Sequence, residues 1–495
     1  MMKLKLEYLK VHRTSVIVAF LFAVAIFILA PIMPLVDSAG YMDTAKNIYI
    51  GRGFVNNFEP STTDVSLFPC AAALSMSAFG PGCCWYMKAL LAVFGFLLML
   101  SMYLLAYEAT GKRNVALMAS VLLAVLPITV LNAIQLLTDI PFLAFMMICF
   151  TFYLKSQKTG KPSDMIACGV FAGVATLTRL TGLIIFGVIF GVFLYNKYWP
   201  KWLWPKLGES KSSGLFKTCV LTILPGAAVV SVWYLCDFSY YGFVSGFVPG
   251  SSPMSSVVSS MMKGIIDFSS VGKMLGSAFV YIGPFLLAAS VYVVYLILMR
   301  KRDFKLPSAD VFIIWLIVLI AYSSIVPGFT SRYILIFVPP VVILAAKWFL
   351  ENWKAKRRIV LSLLALHLIF SFLGVAAYFY LYPSNNPLQS NTMVFYDAGR
   401  WIKANSAGID TLYEIGSGGP LTMGYYADKR TESLGDPATP EKMEEIRGLK
   451  PGMLLITNIF NRKFNETALI EITGLVLCKD FSDGRFFARI YKNEC

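Results

Sequence analysis

From Thr14 to Val36 the chain carries no charged residue, and that apolar run ends abruptly at Asp37. The same alternation of a long apolar run and a polar break recurs near Trp85 to Tyr107, Val115 to Leu131, Ile140 to Leu154, Met165 to Thr178, Leu183 to Tyr195, Leu215 to Phe238, Leu275 to Met299, Val311 to Val326, Tyr333 to Phe349 and Ile359 to Leu381. Runs of this length match the hydrocarbon core of a bilayer, where only a helix satisfies its own backbone polar groups. The pattern therefore predicts a polytopic α-helical membrane protein of about 11 spans. The first run is too long for the apolar core of a signal peptide and lacks a clear small-residue cleavage site, so it reads as a retained span.

Three polar segments are longer than connectors. In the first, Asp37 to Cys84, the spacing of Tyr41, Ala45, Ile48 and Tyr49 (i, i+4, i+7, i+8) predicts an amphipathic helix lying along the membrane interface. The second, Tyr240 to Lys273, is rich in Ser, Gly and Met and reads as a mobile loop. The third begins at Pro383: Val394, Ala398, Trp401 and Ile402 mark a helix, Met453 to Thr457 a strand, and Leu475 to Tyr491 a hairpin turning at Asp483-Gly484. These divide the chain into a membrane domain over residues 1–382 and a small α/β domain over residues 383–495.

Composition agrees with the membrane reading, at 57% hydrophobic and 14% charged residues with mean hydropathy +0.67. Charge adds an orientation. With the N-terminus inside, the segments that fall in the cytoplasm hold 23 Lys and Arg. The opposite side and the span edges hold only Lys46, Arg52, Lys88, Arg179, Lys263, Lys273 and Arg332. The positive-inside rule then puts the C-terminal domain outside the cell, where its 13 basic residues face 14 acidic ones. Nearly all of the formal +15 sits in the membrane part, against lipid headgroups, which argues against a nucleic-acid partner.

The chain has two histidines, His12 on the cytoplasmic arm and His367 inside the last span, so the outer face has no imidazole and a carboxylate is the favoured base there. Asp37 and Asp139 stand where the chain meets the membrane, where partial desolvation raises carboxylate basicity. Each can also cap the helix that follows it; for Asp37 the two roles are compatible, and for Asp139, in Thr138-Asp139-Ile140-Pro141, the cap is the favoured physical reading. Arg332 and Arg179 lie at headgroup depth. A guanidinium there binds phosphate bidentately or anchors its helix by snorkelling; the anchor is the favoured reading for Arg179, and the two readings are level for Arg332. None of the nine cysteines has metal-ligand spacing, Cys478 can pair with Cys495, and Cys70 with Cys83 or Cys84.

Asp37 with Tyr41 and Ala45-Lys46-Asn47-Ile48, the Thr138-Asp139-Ile140-Pro141-Phe142 step, Gly173 to Arg179, and Ser331-Arg332-Tyr333-Ile334-Leu335 with Pro339-Pro340 together resemble the GT-C glycosyltransferases. The similar branch is the one that contains protein O-mannosyltransferases and the lipid A aminoarabinose transferase. The resemblance implies an inverting transfer of a sugar from a polyprenyl-phosphate donor to a protein, glycan or lipid acceptor on the outer face of the cell membrane. It implies Asp37 as general base, Asp139 as the second acidic position, and Arg332 near the donor phosphate, with Arg179 or Lys88 assisting. Tyr41, Asp43 and Tyr333 become site neighbours. Many relatives carry an acidic pair in the first loop, whereas Val36 and Ser38 flank Asp37, which weakens the case for a metal: no cofactor is required, and a divalent metal stays open without support from the sequence. The rival from another class is a polyprenyl-lipid flippase or transporter. The halves lack paired broken hydrophobic segments, and a one-sided domain suits work on one face.

Overall fold

The computed structural model describes residues 2–30, 37–57, 59–60, 67–80, 85–198, 215–241, 272, 276, 278, 282–298, 309–325, 331–381, 393–415, 425–434, 452–457, 473–482, 487–493 and 495. The apolar runs form helices α1 (Met2–Leu29), α2 (Asp37–Tyr49), α3 (Leu67–Phe79), α4 (Trp85–Thr110), α5 (Arg113–Ala124), α6 (Pro127–Ala133), α7 (Asp139–Thr159), α8 (Pro162–Thr178), α9 (Leu183–Tyr198), α10 (Leu215–Tyr241), α11 (Pro284–Leu298), α12 (Ala309–Ile325), α13 (Val338–Asn352) and α14 (Arg357–Leu381). Among the described residues four helices are long and apolar enough to cross a membrane, or five with one bent pair, and seven shorter apolar helices accompany them. The architecture is a membrane-type helical bundle; the expected Tyr240 to Lys273 loop lies, except at its ends, outside the described residues.

The span expected over Val115 to Leu131 is broken. Helices α5 and α6 meet at 66°, because Pro127 has no N–H to continue the ladder and its ring excludes the helical carbonyl before it. The Tyr333 to Phe349 span likewise opens as a 3-10 turn, Ser331–Phe337, before Pro339 and Pro340 start α13 in its first turn. Helix α8 lies against both α7 and α10. A Cβ at Gly169 would stand 2.1 Å from the Thr222 carbonyl oxygen, and one at Gly173 2.7 Å from that of Gly226, so the α8 and α10 backbones touch through small residues.

Helix α2 forms over the expected residues and is packed within the protein. Ala39, Met42 and Ala45 are fully buried, and so are its polar residues Thr44, Asp43 and Asn47. Its polar side is covered by the C-terminal part of the chain. There α15 (Met393–Asn405) packs on a sheet of strand order β4-β3-β5-β7-β6, the strands being β3 (Thr411–Ile415), β4 (Arg430–Ser433), β5 (Met453–Thr457), β6 (Val476–Ser482) and β7 (Phe487–Lys492), after a short pair β1 (Val55–Asn56) and β2 (Glu59–Pro60) in the first loop. Strands β4, β3 and β5 are parallel, while β7 runs antiparallel to both β5 and β6.

Val394, Phe395, Ala398 and Ile402 of α15 meet Leu412, Met453, Leu455, Ala488 and Ile490 on one face of the sheet, and every residue of the central strand β5 is buried. The helix, the central strand and the hairpin strands fall where the polar-apolar pattern put them, whereas the turn at Asp483-Gly484 lies outside the described residues. Cys478 and Cys495 are disulfide-bonded, tying the chain end to β6. Cys70 is a free thiol, so the pairing considered for it with Cys83 or Cys84 is not made.

Candidate active site

Three motifs far apart in sequence converge at one end of the bundle. Arg179 ends α8 in extended backbone, φ −151° and ψ 134°, which breaks the helix and turns the chain into the 3-10 turn Leu180–Gly182. Gly182 is required there, because a Cβ would sit 2.6 Å from the Thr176 backbone. The turn directs the Arg179 guanidinium to the start of α7, where its Nη1 donates to Asp139 Oδ1. The same guanidinium lies 5.5 Å from the Tyr333 ring centroid, and Tyr41 and Tyr322 stand within its electrostatic reach. Tyr322 meets Tyr333 edge to face at 6.5 Å, as Tyr41 meets Phe68 at 5.6 Å.

Asp139 is 4% exposed, which makes this a buried ion pair. Its other oxygen, Oδ2, has no hydrogen-bond partner among the described residues. The N-cap reading of Asp139 does not hold, and Arg179 is paired inside the bundle. Thr138, not Asp139, occupies the N-cap of α7, and no side chain caps it. Arg179 does not snorkel alone, since its charge is matched by Asp139 inside the bundle. One of its five N–H donors serves Asp139 in the described contacts, and the rest of this fork suits a bidentate oxyanion.

Asp37 is the first residue of α2, one turn before Tyr41, and its carboxylate lies outside the described side chains. Arg332 precedes Tyr333 in the 3-10 turn and is half-buried. Lys88, in the first turn of α4, is half-buried, and no described contact joins it to the Asp139–Arg179 pair. The structure thus brings Asp139, Arg179, Tyr333 and Tyr41 together. Tyr322 joins them without any sequence signal, as one tyrosine within an apolar run.

Asp43 belongs to a different neighbourhood. Its Oδ2 accepts the Asn57 backbone N–H at 2.9 Å and the Asn47 side-chain amide at 3.3 Å. Burial lifts its carboxyl above the usual range, against the pull of the Asn57 N–H and the nearby Lys46. Among the described residues no group of three or more His, Cys, Asp or Glu side chains is placed to hold a metal ion.

Residues 72–241 match the family model described as dolichyl-phosphate-mannose-protein mannosyltransferase. No curated protein matches the chain in sequence. Among solved structures, the chain is similar to ArnT from Cupriavidus metallidurans bound to undecaprenyl phosphate, with TM-score 0.64 and 14% identity, covering 98% of each chain. The Archaeoglobus fulgidus oligosaccharyltransferase in its apo form follows at 0.57 and 13%, covering 90% of this chain and 69% of that one. The mycobacterial arabinofuranosyltransferase AftD gives 0.58 and 11%, covering 98% of this chain and 40% of that one. The chain shares the fold of these structures.

Proposed function

We propose that this membrane glycosyltransferase of GT-C type, similar to the mannosyltransferase and ArnT branch, moves a sugar from a polyprenyl-phosphate donor to an acceptor on the extracytoplasmic face of the cell membrane, with inversion. The observation that carries the reading is the buried Asp139–Arg179 pair under Tyr333, assembled beside the helix that Asp37 opens. The likeness to a structure holding undecaprenyl phosphate supports the lipid carrier.

A sugar on a lipid phosphate already has a good leaving group, so the reaction needs a nucleophile and a place for departing negative charge. Asp37 takes the acceptor proton as the acceptor oxygen attacks the anomeric carbon. The carbon–phosphate oxygen bond breaks on the opposite side, which inverts the centre in one displacement. The lipid phosphate leaves toward Arg179 and Arg332, with Lys88 as a further cation at the same membrane edge. Asp139 is the residue that orients Arg179: with one oxygen committed to the guanidinium, it aims the remaining donors and holds the charge in place before donor arrives. The tyrosines 41, 322 and 333 supply hydroxyls and ring faces around this charge, suited to a sugar phosphate. Residues 383–495 form the domain outside the membrane, and the acceptor is a protein, a glycan or a lipid headgroup.

The test is transfer by the purified protein from synthetic polyprenyl-phosphate sugars of known anomeric configuration, with the product configuration read by NMR. A product of opposite configuration is expected. Retention would overturn the single displacement, and movement of the lipid across vesicles without transfer would favour the flippase.

A further inference from the structure

Among the described residues only two that are not glycine adopt positive φ, Asn57 at +50° and Asp428 at +57°. Left-handed backbone is uncommon outside glycine, tolerated best by Asn and Asp, and such outliers concentrate where structure is held for a purpose. These two residues, far apart in sequence, grip the same junction. Asp428 Oδ1 accepts from Lys46 Nζ on α2 at 2.7 Å, and its Oδ2 from Lys403 of α15 at 3.1 Å.

Asn57 bonds to the C-terminal sheet. Among the described residues strand β4 pairs with β3, and the Thr431 backbone N–H and C=O reach Asn57. The Asn57 carboxamide meets both, accepting the Thr431 N–H at 2.8 Å through Oδ1 and donating Nδ2 to the Thr431 oxygen at 2.8 Å. The side chain therefore bonds Thr431 as the peptide of a neighbouring strand would. At the same time its backbone N–H is given to Asp43 on α2. Asn47, one turn on, donates to both Asp43 and the Val55 carbonyl, locking the loop to the helix. One residue in left-handed backbone thus ties the polar face of α2 to β4.

We propose that Asn57 and Asp428 are positioning residues for the transfer reaction: by fixing α2 against the C-terminal sheet they set where its first residue, Asp37, meets the donor. This rests on the reading of Asp37 as base. A misplacement of a reacting group by about 1 Å is enough to cost orders of magnitude in rate, so a clamp about two to three helical turns away acts on kcat. It does not touch donor, so it leaves KM alone.

The test uses the full-length protein. Asn57→Gly keeps the left-handed backbone and removes all three carboxamide bonds to Thr431, while Asn57→Asp keeps the acceptor for the Thr431 N–H and loses the donor. Asn57→Gly is expected to lower kcat about tenfold with donor KM within about twofold, and Asn57→Asp is expected to fall between it and wild type. Hydrogen exchange of amides 37–49 and 430–433 should quicken in Asn57→Gly. Asp37→Asn serves as control: it should lower transfer by about 10²–10⁴-fold and leave exchange at 430–433 unchanged. Exchange at the wild-type rate in Asn57→Gly overturns the clamp. Faster exchange with unchanged kcat, or a loss carried by KM, overturns the positioning role. If wild type transfers no sugar, the functional reading fails by itself, and the exchange result still decides whether Asn57 holds α2.

Discussion

The two sides of α2 are held by opposite kinds of contact. Tyr41 and its neighbours face a buried charge pair, Asp139–Arg179, with one side chain 5% and the other 17% exposed. Asp43, Lys46 and Asn47 face the C-terminal sheet through amide bonds and half-exposed ion pairs; Lys46 is 21%, Asp428 28% and Lys403 57% exposed. Buried charges repay their desolvation only when paired, so the bundle side cannot lose one partner cheaply. Ion pairs near water contribute little each, so the sheet side can position α2 without carrying the fold. Under the proposed function, the buried pair is the fixed anion end and the sheet side the clamp that places the start of the same helix.

The sharpest way to break this contrast is to remove one member of each pair. Arg179→Ala strands a buried carboxylate and should cost about 3–5 kcal/mol in detergent melting experiments, with the double variant Asp139→Asn, Arg179→Ala recovering much of the loss. A loss under about 1 kcal/mol would mean that water reaches Asp139 and that the two sides are alike. Lys46→Ala should cost under about 1 kcal/mol, because Lys403 keeps Asp428 paired.

Acid gives the smallest effect. Burial would raise the Asp428 carboxyl, but Lys46 and Lys403 outweigh it and hold it below the ordinary range. A group depressed in the folded state contributes in full above its unfolded value, about 3.9, and loses that contribution as pH falls through the folded one. Exchange protection at residues 430–433 should therefore stay flat from pH 8 to about 5 and decline only below about 4. Asp43 runs the other way: lifted by burial, it takes its proton at higher pH in the folded state, and that protonation favours folding. A loss of protection beginning at pH 6 would contradict the Asp428 pairing.

The parts legible in the sequence are those fixed by local pattern. Apolar run length marked the helices, the Val394-Ala398-Ile402 spacing marked α15, and the apolar Met453 to Thr457 segment marked the strand that lies at the centre of the sheet. Strands β3 and β4 went unread, because Thr411–Ile415 and Arg430–Ser433 are short and gain their stability from parallel neighbours distant in sequence. The break before Pro127 was visible as a proline, yet the apolar run on both sides hid it.

At the site, the motifs singled out Asp139, Arg179 and Tyr333 one by one, but only the turn at Gly182 shows that the first two are partners. Asp139 read alone looked like a cap and Arg179 like an anchor. Both readings are what an unpaired charge at a membrane edge suggests, and the pairing spans 40 residues. Asn57 gave no signal at all, since its role depends on a strand edge supplied by a residue 374 positions later.

The account stands most directly on the carboxylate at the start of α2. Single-turnover transfer from a polyprenyl-phosphate sugar, compared between wild type and Asp37→Asn at saturating donor, isolates the chemical step from lipid exchange. The account predicts a rate lower by about 10²–10⁴-fold, with donor binding within about twofold of wild type, because the substitution keeps shape and removes the base. An Asp37→Asn rate equal to wild type would contradict it and move the search for the base to another carboxylate.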